Sequence, residues 1–234
     1  MSADPADPRE AAKRLVGTAA VDRFISGGMC VGLGTGSTAY WAIKRTGELV
    51  AAGAELEAVV TSEATERLCR EFGVPVIPFM SRDIDVAIDG ADEVAPDFSL
   101  TKGGGGALFR EKSIAIAAAR FIVIVDDSKL VDRLGRFPTP VEVVPFALPW
   151  VRRALAERYP GVTATERARD GRPYRSDNGN AIVDCAFGTI EDPRGLDAAL
   201  RELHGVVATG LFVGLADAVL CTAPEGVRAL SPRA

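Results

Sequence analysis

The chain has 234 residues, of which 47% are hydrophobic and 25% charged, with 27 Lys+Arg against 32 Asp+Glu and a formal net charge of −5. At about 150 residues per domain this gives one or two domains with a sizeable core. The composition excludes a disordered chain and, since the 24 glycines have no triplet period, a collagen; a pI near 5.1 excludes a whole-chain basic footprint for nucleic acid.

Residues 10–26 read as a helix, with Leu15, Ala19 and Ala20 at helical spacing among Lys13, Arg14, Asp22 and Arg23, ended by Gly27-Gly28. Residues 29–33 are a short apolar run, expected as a buried strand, followed by Gly34-Thr-Gly-Ser-Thr38 and a helix through Lys44. A second strand is expected at 56–60, then Thr61-Ser-Glu-Ala-Thr65 and a helix to Phe72 with Ser62 as N-cap and Gly73 as its stop. Residues 85–88 form a third expected strand, ending in Asp89-Gly-Ala-Asp-Glu93. Lys102 and four glycines then open a helix over 108–120, and a fourth strand at 121–125 ends in Asp126-Asp-Ser-Lys129. Continuous apolar strands alternating with helices predict a parallel sheet covered on both faces. After Gly135 the texture changes. Phe137-Pro-Thr-Pro140 reads as a linker, and beyond it come strand 141–144, helix 148–158, strands 162–168 and 181–187, helix 193–203 and strand 206–209. This β-α-β-β-α-β order is the split βαβ, ferredoxin-like unit, with Asp177-Asn-Gly-Asn180 as turn chemistry. The apolar tail from Leu211 is expected to return to the first sheet.

Several chemistries are already excluded or disfavoured. The single histidine, His204, removes most Ser-His-Asp, Cys-His and His-rich metal sites. Cys30, Cys69, Cys185 and Cys221 are far apart without a C-x-x-C, and read as free thiols of a reducing compartment. Residues 1–9 carry acids and prolines in place of a basic, then apolar, leader. The longest apolar stretch, 114–125, contains Arg120 and is too short for a bilayer. The expectation is a cytoplasmic protein with no membrane and no nucleic-acid partner.

Four expected strands end in polar loops, at 34–38, 61–65, 89–93 and 126–129, and in an open parallel sheet ligands bind beyond the carboxyl ends of the strands. The 34–38 loop offers backbone amides, a helix start and the hydroxyls of Thr35, Ser37 and Thr38 to an anion. By itself it reads equally as a tight turn. It lacks the G-K-[ST] of a P-loop, and Ser37 stands where a dinucleotide fingerprint needs its third glycine, so NAD is disfavoured. Asp89, Asp92 and Glu93 read as a solvated acidic turn or a Mg²⁺ site. Lys102 with Gly103, Gly104 and Gly105 before a helix reads as an oxyanion pocket in preference to a flexible linker, because the run is bounded by Lys102 and a helical segment. Glu111, in or near the first turn of that helix, reads as a dipole-matching acid or a general base, and Lys129 as a surface charge or a phosphate ligand.

Taken together, Gly34-Thr-Gly-Ser-Thr38, Asp89-Gly-Ala-Asp-Glu93, Lys102-Gly-Gly-Gly-Gly-Ala-Leu-Phe-Arg-Glu-Lys112, Ser128-Lys129, Phe137-Pro-x-Pro-Val-Glu-Val143 and Asp177-Asn-Gly-Asn180 resemble, in order and spacing, the ribose-5-phosphate isomerase type A family, from about Lys13 to Val227. The resemblance implies an α/β fold. A Rossmann-like catalytic domain would take residues 1–135 plus 208–234, and a smaller ferredoxin-like α/β domain residues 136–207. It implies interconversion of ribose 5-phosphate and ribulose 5-phosphate through an enediolate, in the non-oxidative pentose phosphate pathway, without metal or organic cofactor, in a homo-oligomer (dimer or tetramer). By the same resemblance the substrate is bound by Lys13, Thr35, Gly36, Ser37, Thr38, Asp89, Gly90, Ala91, Asp92, Lys102, Gly103, Gly104, Gly105 and Lys129. Glu111 would be the proton acceptor, Asp89 and Asp92 would shuttle protons, and Lys102 would help to stabilise the enediolate. Gly106 and Phe109 stand where relatives often carry Ala and Thr, so Phe109 bears on substrate range. The alternatives are a sugar-phosphate sensor, an aminosugar-phosphate deaminase-isomerase and a Mg²⁺-dependent phosphotransferase using the 89–93 acids. The first needs an output module that no spare segment supplies, and the second more histidine chemistry than His204 offers. Full activity in EDTA would exclude the third.

Overall fold

A computed structural model describes residues 8–223 and 225–232; most of the segment read for a leader, 1–9, lies outside them. The chain divides into two compact units. The first holds the residues up to Ala91, Arg110–Leu130 and those from Leu215 onward, and the second Asp92–Phe109 and Val131–Gly214. Residues 92–109, with the glycine run, therefore belong to the second unit.

The first unit is built on a six-stranded sheet in the order Gly226–Leu230, Ala218–Ala223, Phe121–Val125, Val86–Asp89, Cys30–Leu33, Glu57–Val60. All neighbours are parallel except the edge hairpin of the two C-terminal strands. Cys30–Leu33 and Phe121–Val125 are buried at every position, as expected of strands covered on both faces. Helices Pro8–Phe24 and Ser37–Ala51 pack on one another, and their apolar faces close a core around Val31, Leu33, Val86, Ile88, Ile122 and Ile124. The helix Leu108–Ala117 comes equally close to the sheet: a Cβ at Gly32 would lie 2.5 Å from Ile114 Cγ2, so only glycine fits there. The tail rejoins this sheet as expected, with Ala218–Ala223 beside Phe121–Val125.

The second unit contains a four-stranded antiparallel sheet in the order Val206–Thr209, Thr139–Val143, Ala181–Ala186, Thr163–Glu166, which in chain order is 4-1-3-2, the ferredoxin-like arrangement. Val141, Val143, Val151, Leu155, Val183 and Leu200 pack between this sheet and helices Leu148–Arg158 and Pro193–Arg201. Three details differ from expectation. The first strand begins inside the expected linker, at Thr139. Pro140 is tolerated near the strand start because its carbonyl accepts from Gly210 N–H at 2.7 Å and no ladder donor is needed of it. The strand expected over 162–168 divides into Thr163–Glu166 and a small hairpin, Ala168–Arg169 with Arg172–Pro173. A three-stranded sheet of two-residue strands, Glu93–Val94, Leu100–Thr101 and Leu211–Phe212, has no periodicity for the sequence to show.

Candidate active site

Chain order in the first sheet reverses between Cys30–Leu33 and Val86–Asp89: from the first the chain goes out to Glu57–Val60 on one side, then returns to build the other. Such a switch point opens a crevice beyond the carboxyl ends of the strands. Here Gly34 N–H donates to Ile88 O at 3.0 Å, and Asp89 Oδ1 accepts from Thr35 N–H at 3.1 Å and Gly90 N–H at 2.7 Å. A Cβ at Gly34 would lie 1.9 Å from Asp89 Oδ1, so the glycine is what lets the loop reach the carboxylate. A narrow gap between the sheet and the helix Leu108–Ala117 is bordered by Gly34, Thr61, Asp89, Glu111, Ile114 and Phe121, among others. Asp89 is 3% exposed and Glu111 5%. Glu111 stands in the first turn of its helix, one turn before the Ile114 that fits against Gly32.

The loop after Gly34 becomes a helix at Ser37, with Gly36 as N-cap at φ 123°, a conformation that favours glycine. Ser37 and Thr38 thus sit at the amino end of a 15-residue helix, where backbone donors and dipole suit an anion. The Thr35 hydroxyl is turned into a polar knot instead. It lies 2.7 Å from Thr61 Oγ1, 2.8 Å from Ser62 Oγ and 3.0 Å from Thr65 Oγ1, while Thr65 Oγ1 donates to Gly34 O at 2.8 Å. Ser62 also caps its helix by accepting from Thr65 N–H at 3.0 Å. The knot ties the 34–38 loop to the next strand end, so Thr35→Val is expected to lower stability by about 1–3 kcal/mol, since buried hydroxyls lose their partner. A denaturant titration checks this, and an unchanged midpoint would show that the cluster carries no load.

Lys13 lies one turn before Gly17, and a Cβ at Gly17 would be 3.2 Å from Thr38 O, so its helix runs past the 34–38 loop. The Lys13 ammonium is paired with Glu10 at 2.6 Å. Gly90 lies beside Thr38. Lys129 ends the short 3-10 turn Asp127–Lys129 after the Phe121–Val125 strand and is half-buried.

In the second unit, Lys102 is 2% exposed, with its ammonium 5.4 Å from the Phe212 ring centroid and its N–H donating to Gly210 O at 2.8 Å. Gly103 (φ 100°) and Gly106 (φ 88°) take left-handed conformations. Asp92 Oδ2 accepts from Gly104 N–H at 2.8 Å. At Gly106 a Cβ would lie 2.3 Å from the Tyr174 hydroxyl, and the φ of 88° itself favours glycine. Glu93 is fully buried and committed to structure, accepting from Thr101 Oγ1 at 3.0 Å, Gly135 N–H at 2.9 Å and Phe137 N–H at 2.8 Å. The Asp177-Asn-Gly-Asn180 motif likewise serves a buried acid: Ser176 Oγ, Asn178 Nδ2 and Asn180 Nδ2 donate to Glu142 Oε1 at 2.7, 3.3 and 3.0 Å. Sequence reasoning missed Arg167, whose Nη1 donates to Gly103 O at 2.8 Å and Gly104 O at 3.2 Å; no motif marks it. All four cysteines are buried and free, and burial pushes the thiols of Cys69 and Cys185 up to about 12 and that of Cys221 to about 11, so they are protonated at neutral pH. Among the described residues no three His, Cys, Asp or Glu side chains gather as metal ligands, and no helix is long and apolar enough to cross a membrane.

Comparison with known proteins agrees with this geometry. The family model for ribose 5-phosphate isomerase A (phosphoriboisomerase A) matches residues 57–226. Ribose-5-phosphate isomerase A of Methanothermobacter thermautotrophicus is 45% identical over 221 residues, 93% of this chain and 96% of that protein. The structure of ribose 5-phosphate isomerase A from Methanocaldococcus jannaschii superposes with a TM-score of 0.90 at 38% identity, covering 95% of this chain and 99% of that one. A D-ribose-5-phosphate isomerase in complex with phospho-erythronic acid gives a TM-score of 0.91 at 38% identity, covering 96% of this chain and all of that one. A parallel sheet with its switch-point loop, a ferredoxin-like unit and relatives matched almost end to end have one reading: this chain belongs to the ribose 5-phosphate isomerase A family.

Proposed function

We propose that Glu111 is the general base with which this chain interconverts ribose 5-phosphate and ribulose 5-phosphate. The observation that carries the assignment is a pair of buried carboxylates, Asp89 and Glu111, bordering one narrow gap at the switch point of a parallel sheet, where the 34–38 loop also begins. Aldose–ketose isomerisation moves one proton between C2 and C1 and one between the neighbouring oxygens. A carboxylate takes the proton from C2 of the open-chain aldose, the C2–H electron pair becomes the C1–C2 double bond of an enediolate, and the carboxyl, whose proton exchanges with solvent, returns a proton to C1 to give the ketose. Asp89 is assigned the oxygen-bound proton at the first unit's strand end, and Asp92 the same task beside the glycine run. Lys102 and the amides of Gly103 and Gly105 are assigned the enediolate charge, since preorganised donors act most where charge develops; the Gly104 amide of the same run is engaged with Asp92 Oδ2. Ser37 and Thr38, with Lys13 and Lys129, hold the phosphate, the remote handle that keeps the sugar in place.

No step requires a metal, and Glu93, the third acid of the 89–93 turn, spends its oxygens on backbone and hydroxyl donors. The test is formation of ribulose 5-phosphate from ribose 5-phosphate by purified protein in EDTA. Turnover is expected; binding of ribose 5-phosphate without turnover would make the chain a sensor, and turnover only after Mg²⁺ is added would return the acidic turn to a metal. Lys129→Ala is expected to raise KM about 10-fold with kcat nearly unchanged, the worth of one charge-assisted hydrogen bond to a phosphate; an unchanged KM would place the phosphate elsewhere.

A cytoplasmic location is supported by the four buried, unlinked thiols. A homo-oligomer is supported by the apolar side chains of Val144, Phe146 and Trp150, exposed at 39%, 97% and 51%. Light scattering on the purified protein distinguishes monomer, dimer and tetramer.

A further inference from the structure

We propose that Arg167, held by Asp184, is a positioning residue that aims the amides of the Gly103–105 run and, through one of them, the Asp92 carboxylate; this rests on the reading that the run and Asp92 act on the enediolate. Arg167 follows the strand Thr163–Glu166 and Asp184 lies on the neighbouring strand Ala181–Ala186, both in the second unit. Two guanidinium nitrogens engage the carboxylate as a fork, Nε to Oδ2 at 2.9 Å and Nη2 to Oδ1 at 2.5 Å, and the pair is largely shielded, with 13% and 26% of the side chains exposed. The third nitrogen, Nη1, donates to the carbonyls of Gly103 at 2.8 Å and Gly104 at 3.2 Å. The next carbonyl, of Gly105, accepts from the Tyr174 hydroxyl at 3.4 Å. Three successive carbonyls of a glycine run are therefore tied to two side chains of the second unit.

The consequence follows from peptide geometry. A trans peptide directs its N–H opposite to its C=O. The Gly103 carbonyl shares a plane with Gly104 N–H, and the Gly104 carbonyl with Gly105 N–H, so Arg167 turns these two donors away from itself. Gly104 N–H then meets Asp92 Oδ2 at 2.8 Å. Asp184, Arg167, the 103–104 peptide and Asp92 thus form one continuous chain of hydrogen bonds. Glycine runs have the largest backbone entropy of any sequence, and without such a tie they sample many conformations. A cation on the carbonyl also polarises the amide, which makes its N–H a stronger donor.

The experiment compares kcat and KM for Arg167→Ala, Arg167→Lys and Asp184→Asn with Glu111→Gln and Lys102→Met in one assay. Arg167→Ala is expected to lower kcat about 10- to 100-fold with KM within about threefold, the scale of a misaimed catalytic group. Lysine should restore little, because a single ammonium cannot span a carboxylate and two carbonyls. Guanidinium added to the buffer should restore part of the rate of Arg167→Ala and none of that of Glu111→Gln. A folded Arg167→Ala with kcat within about twofold of wild type, a loss in KM alone, or no response to guanidinium would each overturn the proposal. Should Arg167→Ala fail to fold, Asp184→Asn, which keeps the shape and removes the charge, decides on the same kcat criterion. If Glu111→Gln and Lys102→Met remain active, the reading of the site has failed; if they are inactive while the Arg167 variants are not, the clamp alone has failed.

Discussion

Glu111→Gln is expected to lower kcat by about 10²–10⁴, the worth of a positioned general base, while KM for ribose 5-phosphate moves little. Glutamine keeps the size of the side chain and its place in the first helical turn, where the narrow gap is also bordered by Asp89 and Ile114. It cannot accept the C2 proton. The structural cost is small by comparison: one favourable charge at a helix amino terminus contributes about 0.3–1 kcal/mol, far less than the roughly 3–5 kcal/mol in barrier height that the rate loss represents. Melting temperature and rate should therefore separate, with a near-native transition and a collapsed turnover. Proton exchange gives an independent reading. In D₂O, wild type should wash deuterium into substrate at the carbon that loses its proton, and the glutamine variant should not. A near-wild-type kcat would remove Glu111 from the reaction and leave it as a dipole-matching acid.

The parts of the fold legible in the sequence are those where burial leaves a pattern. Residues 121–125 and 29–33 show as apolar runs because both faces of a parallel strand are covered, and Ser62 and Gly73 show as cap and stop because backbone geometry restricts what can stand there. The strand-to-helix loop was legible as Gly34-Thr-Gly-Ser-Thr38, but not the turn of the Thr35 hydroxyl into the knot with Thr61, Ser62 and Thr65, which needs the register of two adjacent strands. Two-residue strands such as Leu100–Thr101 have no period to detect. Phe137-Pro-Thr-Pro140 reads as a linker, yet Pro140 lies in the strand Thr139–Val143, where its position near the strand start makes the missing donor harmless. Arg167 was invisible for a different reason. Its partners are the carbonyls of glycines more than sixty residues earlier and an aspartate on the neighbouring strand. A backbone acceptor has no side-chain signature, so only the folded ladder of the second unit reveals it.

Lys102→Met is expected to lower kcat by about 10²–10³, the cost of removing one preorganised donor from a developing oxyanion. Lysine is among the residues least often buried, because its charge costs free energy away from water. Lys102 is 2% exposed, with its ammonium 5.4 Å from the Phe212 ring centroid. Methionine preserves the unbranched stem against Phe212 and removes only the cation. Lys102→Arg should not restore activity, since a planar fork does not replace a compact ammonium in a closed site. A kcat within about twofold of wild type for Lys102→Met would assign the enediolate charge to the glycine amides alone. The double variant, Glu111→Gln with Lys102→Met, tests whether the two groups serve one intermediate. If the base creates the enediolate that the lysine stabilises, the double loss should barely exceed that of the worse single variant, because groups that act as a unit are strongly non-additive. A loss equal to the product of the two would mean that the lysine acts outside the proton-transfer step, with phosphate or ring-opened sugar as the partner left for its charge.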